Sequence, residues 1–84
     1  MPNKRGETPK DPATAEVLVR VGARIRAVRV AAGLTQERAA DAAGIDSKRY
    51  QRLERGEVNA TINTIARVAS ALGTTFWQLT APEK

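Results

Sequence analysis

The stretch from Gly33 to Gly56, GLTQERAADAAGIDSKRYQRLERG, decides how the 84-residue chain is read. It contains two short runs separated by a turn. Thr35 is a good N-cap residue, and the alanine-rich run from Gln36 to Ala43 closes at Gly44, where glycine accepts the left-handed conformation that ends helices. Asp46 caps a second run in which Tyr50 and Leu53 share the inward side, and Gly56 ends it. Two helices joined this tightly form a helix-turn-helix unit, a motif found both as plain structure and as a reader of the DNA major groove.

The outer face of the second run separates those two roles. On a helix turning about 100° per residue, Ser47, Gln51, Arg55, Lys48 and Arg52 fall within an arc of about 140°, while Tyr50 and Leu53 lie outside it. The arc is wholly polar and basic, and its side chains suit base edges: Arg or Lys to guanine, Gln to adenine, Ser to either. The acids Asp46, Glu54 and Glu57 stand at its ends or on its flanks, and Glu54 borders the inward side. A merely soluble face would more often mix in glutamate.

Upstream, Leu18, Val21, Ile25 and Val28 recur at helical spacing and predict a helix from Glu16 towards Gly33. Downstream, Thr61 caps a helix with Ile62, Ile65, Ala69 and Leu72 inward that ends at Gly73, and Thr75 caps a last turn or two with Phe76 and Leu79 on one side. Four of the six glycines thus stand at helix ends, where punctuation and periodicity agree. The expected fold is all-α, a compact five-helix bundle over residues 16–80, with residues 1–15 as a flexible arm and 81–84 as a tail. The arm holds three of the four prolines; its Lys4, Arg5 and Lys10 could touch DNA or stay solvated.

Composition narrows the function. Fourteen Lys and Arg against nine Asp and Glu leave a net charge of +5, and residues 16–56 hold nine of the basic and five of the acidic residues. An excess confined to one unit is the footprint of a phosphate-binding surface, although soluble helices also carry such excesses. Hydrophobic residues make up 42%, but fifteen of them are alanine and aromatics are 4%, so the core is thin and self-association is expected. Cysteine and histidine are absent, which excludes disulfides, thiolate nucleophiles, histidine bases and zinc-finger ligand sets. Glu37 and Asp41 are spaced as a carboxylate pair but have no pocket, so neither an enzyme nor a cofactor or metal is expected. The apolar stretches are too short for a membrane span or a signal peptide, which points to the cytoplasm.

Gly33-Leu34-Thr35-Gln36, Ala40, Ala43-Gly44-Ile45 and Leu53-Glu54-Arg55-Gly56, followed by Leu72-Gly73, resemble the helix-turn-helix domain of the phage repressor and Cro family, also called the xenobiotic-response-element family. The resemblance runs from about Val21 to Thr80 and implies the lambda-repressor-like DNA-binding fold. It implies that Gln36 holds a backbone phosphate and supports the recognition helix, and that Ser47, Lys48 and Arg52 read bases with Gln51 beside them. Arg49 falls on the flank where phosphate contact is usual, Arg38 can approach a phosphate, and Arg49, Arg55 and Asn59 are either backbone contacts or simply solvated. Arg29 and Glu54 match a structural ion pair between the first and third helices.

Three positions depart from that pattern. Arg38 stands where a glutamate often completes a capping box with Thr35. Ala39 stands where leucine is common, which shrinks the core between the second and fourth helices. Trp77 stands at a usually polar place beside Phe76; the two are either ordinary packing or the anchors of a homodimer interface.

The implied function is a transcription regulator that binds a double-stranded operator as a homodimer, with residues 47–55 in the major groove. With no ligand domain in view, protein concentration and operator arrangement would regulate it. The Asn59-Ala60-Thr61-Ile62 approach to the fourth helix is similar to that of restriction-modification controller proteins. The alternative is an antitoxin or another interaction module whose main task is to bind a partner protein. RNA is disfavoured, because Tyr50, Phe76 and Trp77 are off the basic face and form no stacking platform.

Overall fold

The computed structural model describes residues 11–82. Five helices follow one another: α1 (Pro12–Ala31), α2 (Gln36–Ala43), α3 (Ser47–Glu54), α4 (Ile62–Leu72) and α5 (Phe76–Thr80), with no strand among the described residues. Each helix start is closed by a side chain. Thr35 accepts from the Arg38 amide, Asp46 from those of Lys48 and Arg49, Thr61 from Thr64 and Thr75 from Gln78. These bonds satisfy amides that lack a partner within the helix.

The first helix begins earlier than expected. Residues 12–15, assigned above to a flexible arm, form its opening turn. Asp11 caps it, accepting from the Ala13 amide at 3.3 Å and from the Thr14 hydroxyl at 3.0 Å. Pro12 takes the first helical position, where its missing N–H costs nothing and its fixed φ already suits a helix. Proline there starts a helix instead of preventing one. Lys4, Arg5 and Lys10 lie outside the described residues.

Val21, Ile25, Tyr50, Leu53, Val58, Val68 and Leu79 are the largest fully buried side chains, and Ile65, Ala69 and Leu72 extend their cluster along α4. α2 enters this core through Ala39, Ala40 and Ala43, all buried. Small side chains let α2 lie close to α4, because interaxial distance follows side-chain size. Ile62 departs from expectation: it is 73% exposed. It is the first residue of α4 and stands beyond the core that Ile65 reaches one turn later. Val58, in the connection between α3 and α4, is buried although no periodicity marks it.

Candidate nucleic-acid interface

The α2–α3 connection turns at Gly44, whose left-handed backbone lets the Ile45 amide return to the Ala40 carbonyl at 3.0 Å. Arg67 on α4 ties the same turn down by donating to the Gly44 carbonyl at 3.3 Å. α3 therefore leaves the turn in a direction set by both α2 and α4. Its outer face carries Lys48 and Arg52 exposed, with Ser47, Arg49 and Gln51 half-buried beside them. Gln36 is half-buried at the start of α2 and Arg38 is exposed two residues on, while Asn59 is exposed in the connection after α3.

Behind this face lies a polar knot. The Arg29 guanidinium donates to both carboxylate oxygens of Glu54, Nε to Oε2 at 2.5 Å and Nη2 to Oε1 at 3.2 Å. Its Nη1 donates to the Leu34 carbonyl at 2.8 Å, and Gln36 donates from Nε2 to Glu54 Oε1 at 3.0 Å. The Glu54 carboxylate thus joins α1, the first residue of α2 and the end of α3, and Arg29 adds the turn before α2. A two-point arginine–carboxylate contact fixes geometry as well as charge. Gln36 keeps a second amide hydrogen for an outside acceptor, since a carboxamide nitrogen carries two.

The electrostatics follow from this packing. Burial works against the ionised form of Glu54, but hydrogen bonds from Arg29 and Gln36 outweigh it and hold the carboxyl below its ordinary value. The same contact with Glu54, working against burial, raises Arg29. Tyr50 is buried beside the pair, and burial, helped by the Glu54 carboxylate, raises its phenol. Its hydroxyl makes no hydrogen bond among the described residues.

The structure therefore brings Gln36, Arg29 and Glu54 into one network and lines up Ser47, Lys48, Gln51 and Arg52 along one helix face. Phe76 and Trp77 stand elsewhere, on α5, which packs on α4 and α1. Phe76 is half-buried, Trp77 is 75% exposed, and their rings meet edge to face at 5.1 Å.

Sequence reasoning passed over Gly22 and Arg26, which build this region, and read Gly56 only as a helix end. Gly22 and Gly56 let α1 meet α3: a Cβ on Gly56, whose φ is 73°, would fall 2.7 Å from the Val19 Cα. Arg26 stands on α1 where the two helices and Gln36 meet. A glycine inside an otherwise helical run, as at Gly22, is the available signal of such a close approach. Arg26 carries no local signal at all.

A helix-turn-helix family model matches residues 25–76. Among solved structures, the restriction-modification controller protein C.AhdI from Aeromonas hydrophila is 37% identical, with a TM-score of 0.72 over 74% of this chain and 94% of that one. The hypothetical transcription factor NHTF from Neisseria is 28% identical, with a TM-score of 0.77 over 94% of this chain and 91% of that one. The clp gene regulator ClgR from Corynebacterium glutamicum is 26% identical, with a TM-score of 0.74 over 76% of this chain and 82% of that one. No curated protein matches.

Proposed function

The chain belongs to the helix-turn-helix family of DNA-binding transcription regulators, and from that premise we propose that it binds a specific double-stranded operator as a homodimer, with α3 in the major groove. One observation carries this reading. The exposed side of α3 is an unbroken polar and basic face, continuous with Gln36 at the start of α2 and braced from behind by the Arg29–Glu54 pair. Lys48 and Arg52 are the principal base readers, with Ser47 and Gln51 beside them, since these side chains match donor and acceptor patterns in the major groove. Gln36, Arg38, Arg49 and Asn59 contact the sugar-phosphate backbone, and the amides at the start of α2 add their own donors to the phosphate held by Gln36.

The exposed indole of Trp77, packed edge to face on Phe76, anchors the homodimer, since tryptophan is enriched among interface anchors. Two copies joined through α5 would place their recognition helices in successive major grooves, about 34 Å apart. The likeness to a restriction-modification controller protein supports a regulatory role, and control through protein concentration and operator arrangement, in the cytoplasm, completes the reading. Among the described residues no helix is long and apolar enough to cross a membrane.

Selection of the protein on a random duplex pool at physiological salt tests the reading, because specific and nonspecific binding separate there. Enrichment of a two-part site spaced near one helical turn is the expected result. Retention without enrichment would instead favour a role centred on a partner protein.

A further inference from the structure

We propose that the cleft between α1, the start of α2 and the end of α3 seats a backbone phosphodiester of the bound duplex, with Arg26 as its cation. This extends the DNA footprint from the helix-turn-helix to α1, and it rests on the DNA-binding reading above. The cleft measures about 590 Å³ and is lined by Val19, Ala23 and Arg26 of α1, Gln36 of α2, and Glu54, Arg55 and Glu57 at and beyond the end of α3. Gln36 is shared with the proposed interface, so the cleft continues the same surface.

The cleft exists because two glycines allow it. A Cβ on Gly22 would fall 2.5 Å from the Glu54 carbonyl oxygen, and one on Gly56 would fall 2.7 Å from the Val19 Cα. Without side chains at these places, the Arg55–Glu57 segment settles directly on α1 and forms one wall.

Charge selects the occupant. Glu54 is neutralised by Arg29, and Arg55 is paired with Glu57 at 3.1 Å. Arg26 is exposed and makes no hydrogen bond or ion pair with any described residue. Arg26 is thus the cation of the cleft that has no partner among the described residues, and its single charge suits a phosphodiester. A phosphate monoester carries about −1.5 to −2 at neutral pH and would leave charge unbalanced beside Glu57. Val19 and Ala23 supply an exposed apolar wall that suits the C–H surface of a deoxyribose.

The test measures duplex affinity against salt for the wild type, Arg26→Gln and Arg24→Gln, on the selected operator and on an unrelated duplex. Arg24 lies about 200° round α1 from Arg26, where it donates to the Gln78 carbonyl of α5 at 3.2 Å, and controls for the loss of an arginine elsewhere on α1. Arg26→Gln is expected to weaken both duplexes by a similar factor, about three- to tenfold, and to lower the salt slope by about one. Arg24→Gln should leave slope and affinity close to those of the wild type. Wild-type slope and affinity in Arg26→Gln, or equal losses in both variants, would overturn the proposal while leaving the DNA-binding reading standing. A wild type that binds neither duplex would overturn that reading itself, and the cleft assignment with it. Inorganic phosphate, titrated while the Ala23 and Gln36 amide resonances are followed, distinguishes the source. Saturation at submillimolar phosphate that Arg26→Gln abolishes, with an unchanged salt slope on DNA, would make the cleft a free-anion site and overturn the proposal.

Discussion

Gly22 of α1 and Glu54 of α3 are packed so closely that a single methyl group at Gly22 would stand 2.5 Å from the Glu54 main-chain oxygen and 2.6 Å from that of Leu53. Neither obstacle is a flexible side-chain tip; both are backbone. Alanine ordinarily favours a helix over glycine by about 1 kcal/mol. Here the clash dominates, since overpacking costs typically about 1–3 kcal/mol. Gly22→Ala is therefore expected to lower the midpoint of chemical unfolding and, by moving α3, to weaken duplex binding. A raised midpoint would show that α1 and α3 part without cost.

Removing one partner of the Arg29–Glu54 pair strands the other in a buried place. Arg29→Ala or Glu54→Ala should cost about 3–5 kcal/mol, against a total stability of about 5–15 kcal/mol for a domain. Replacing both together by apolar residues of similar size should cost much less. A double-mutant cycle by urea denaturation reads the difference, and equal losses in single and double variants would show that the pair contributes little as a pair.

The pH dependence has a definite sign at each end. Glu54 is held below its ordinary value of 4.5, so its contribution is present above that pH and fades as the pH falls below it. Glu54→Gln should flatten the acid limb of a stability–pH curve. Tyr50 is raised above 10.0, so its contribution is present below that pH and is lost as alkali forces the phenol to ionise. Tyr50→Phe removes the ionisation with the buried hydroxyl. It should flatten the alkaline limb, as thermal melts across pH would show.

Substitution on the outer face of α3 should separate reading from holding. Lys48→Ala or Arg52→Ala is expected to cost about 1–3 kcal/mol on the selected site and to relax the preference at one base pair. Competition among single-base variants of the operator measures this. A loss equal on all sequences would reassign the residue to the phosphate backbone.

Trp77 is the chain's single tryptophan and reports on its own surroundings. Its emission should shift to the blue as protein concentration rises and the indole becomes covered. Trp77→Ala should weaken self-association in sedimentation without lowering monomer stability, because the side chain is 75% exposed. An unchanged sedimentation profile would rule the anchor out.

The helix boundaries were legible where the determinants are local. Thr35, Asp46, Thr61 and Thr75 cap amides within three residues of themselves, so short windows of sequence suffice. The start of α1 was not legible, because apolar periodicity begins only at Leu18 and residues 12–15 read as part of a proline-rich arm, although Pro12 directly after a capping Asp11 serves as a first helical residue. Ile62 was misread for another reason: it lies on the right side of α4, but periodicity carries no information on where the neighbouring helices stop. The cleft at Arg26 was not legible. It depends on Gly22 meeting Glu54 and Gly56 meeting Val19, contacts between residues more than thirty positions apart.

The alanine face of α2 has an evolutionary consequence. Alanine has no rotamers to lose on folding, and α2 meets α4 through three such side chains. The gap between these helices is therefore set largely by backbone, and enlargement at Ala40 or Ala43 would push α2 outward and carry α3 with it. No such restriction acts on the outward positions 47, 48, 51 and 52. Drift at those positions can rewrite which operator is chosen while the scaffold that presents them stays under separate and stricter selection.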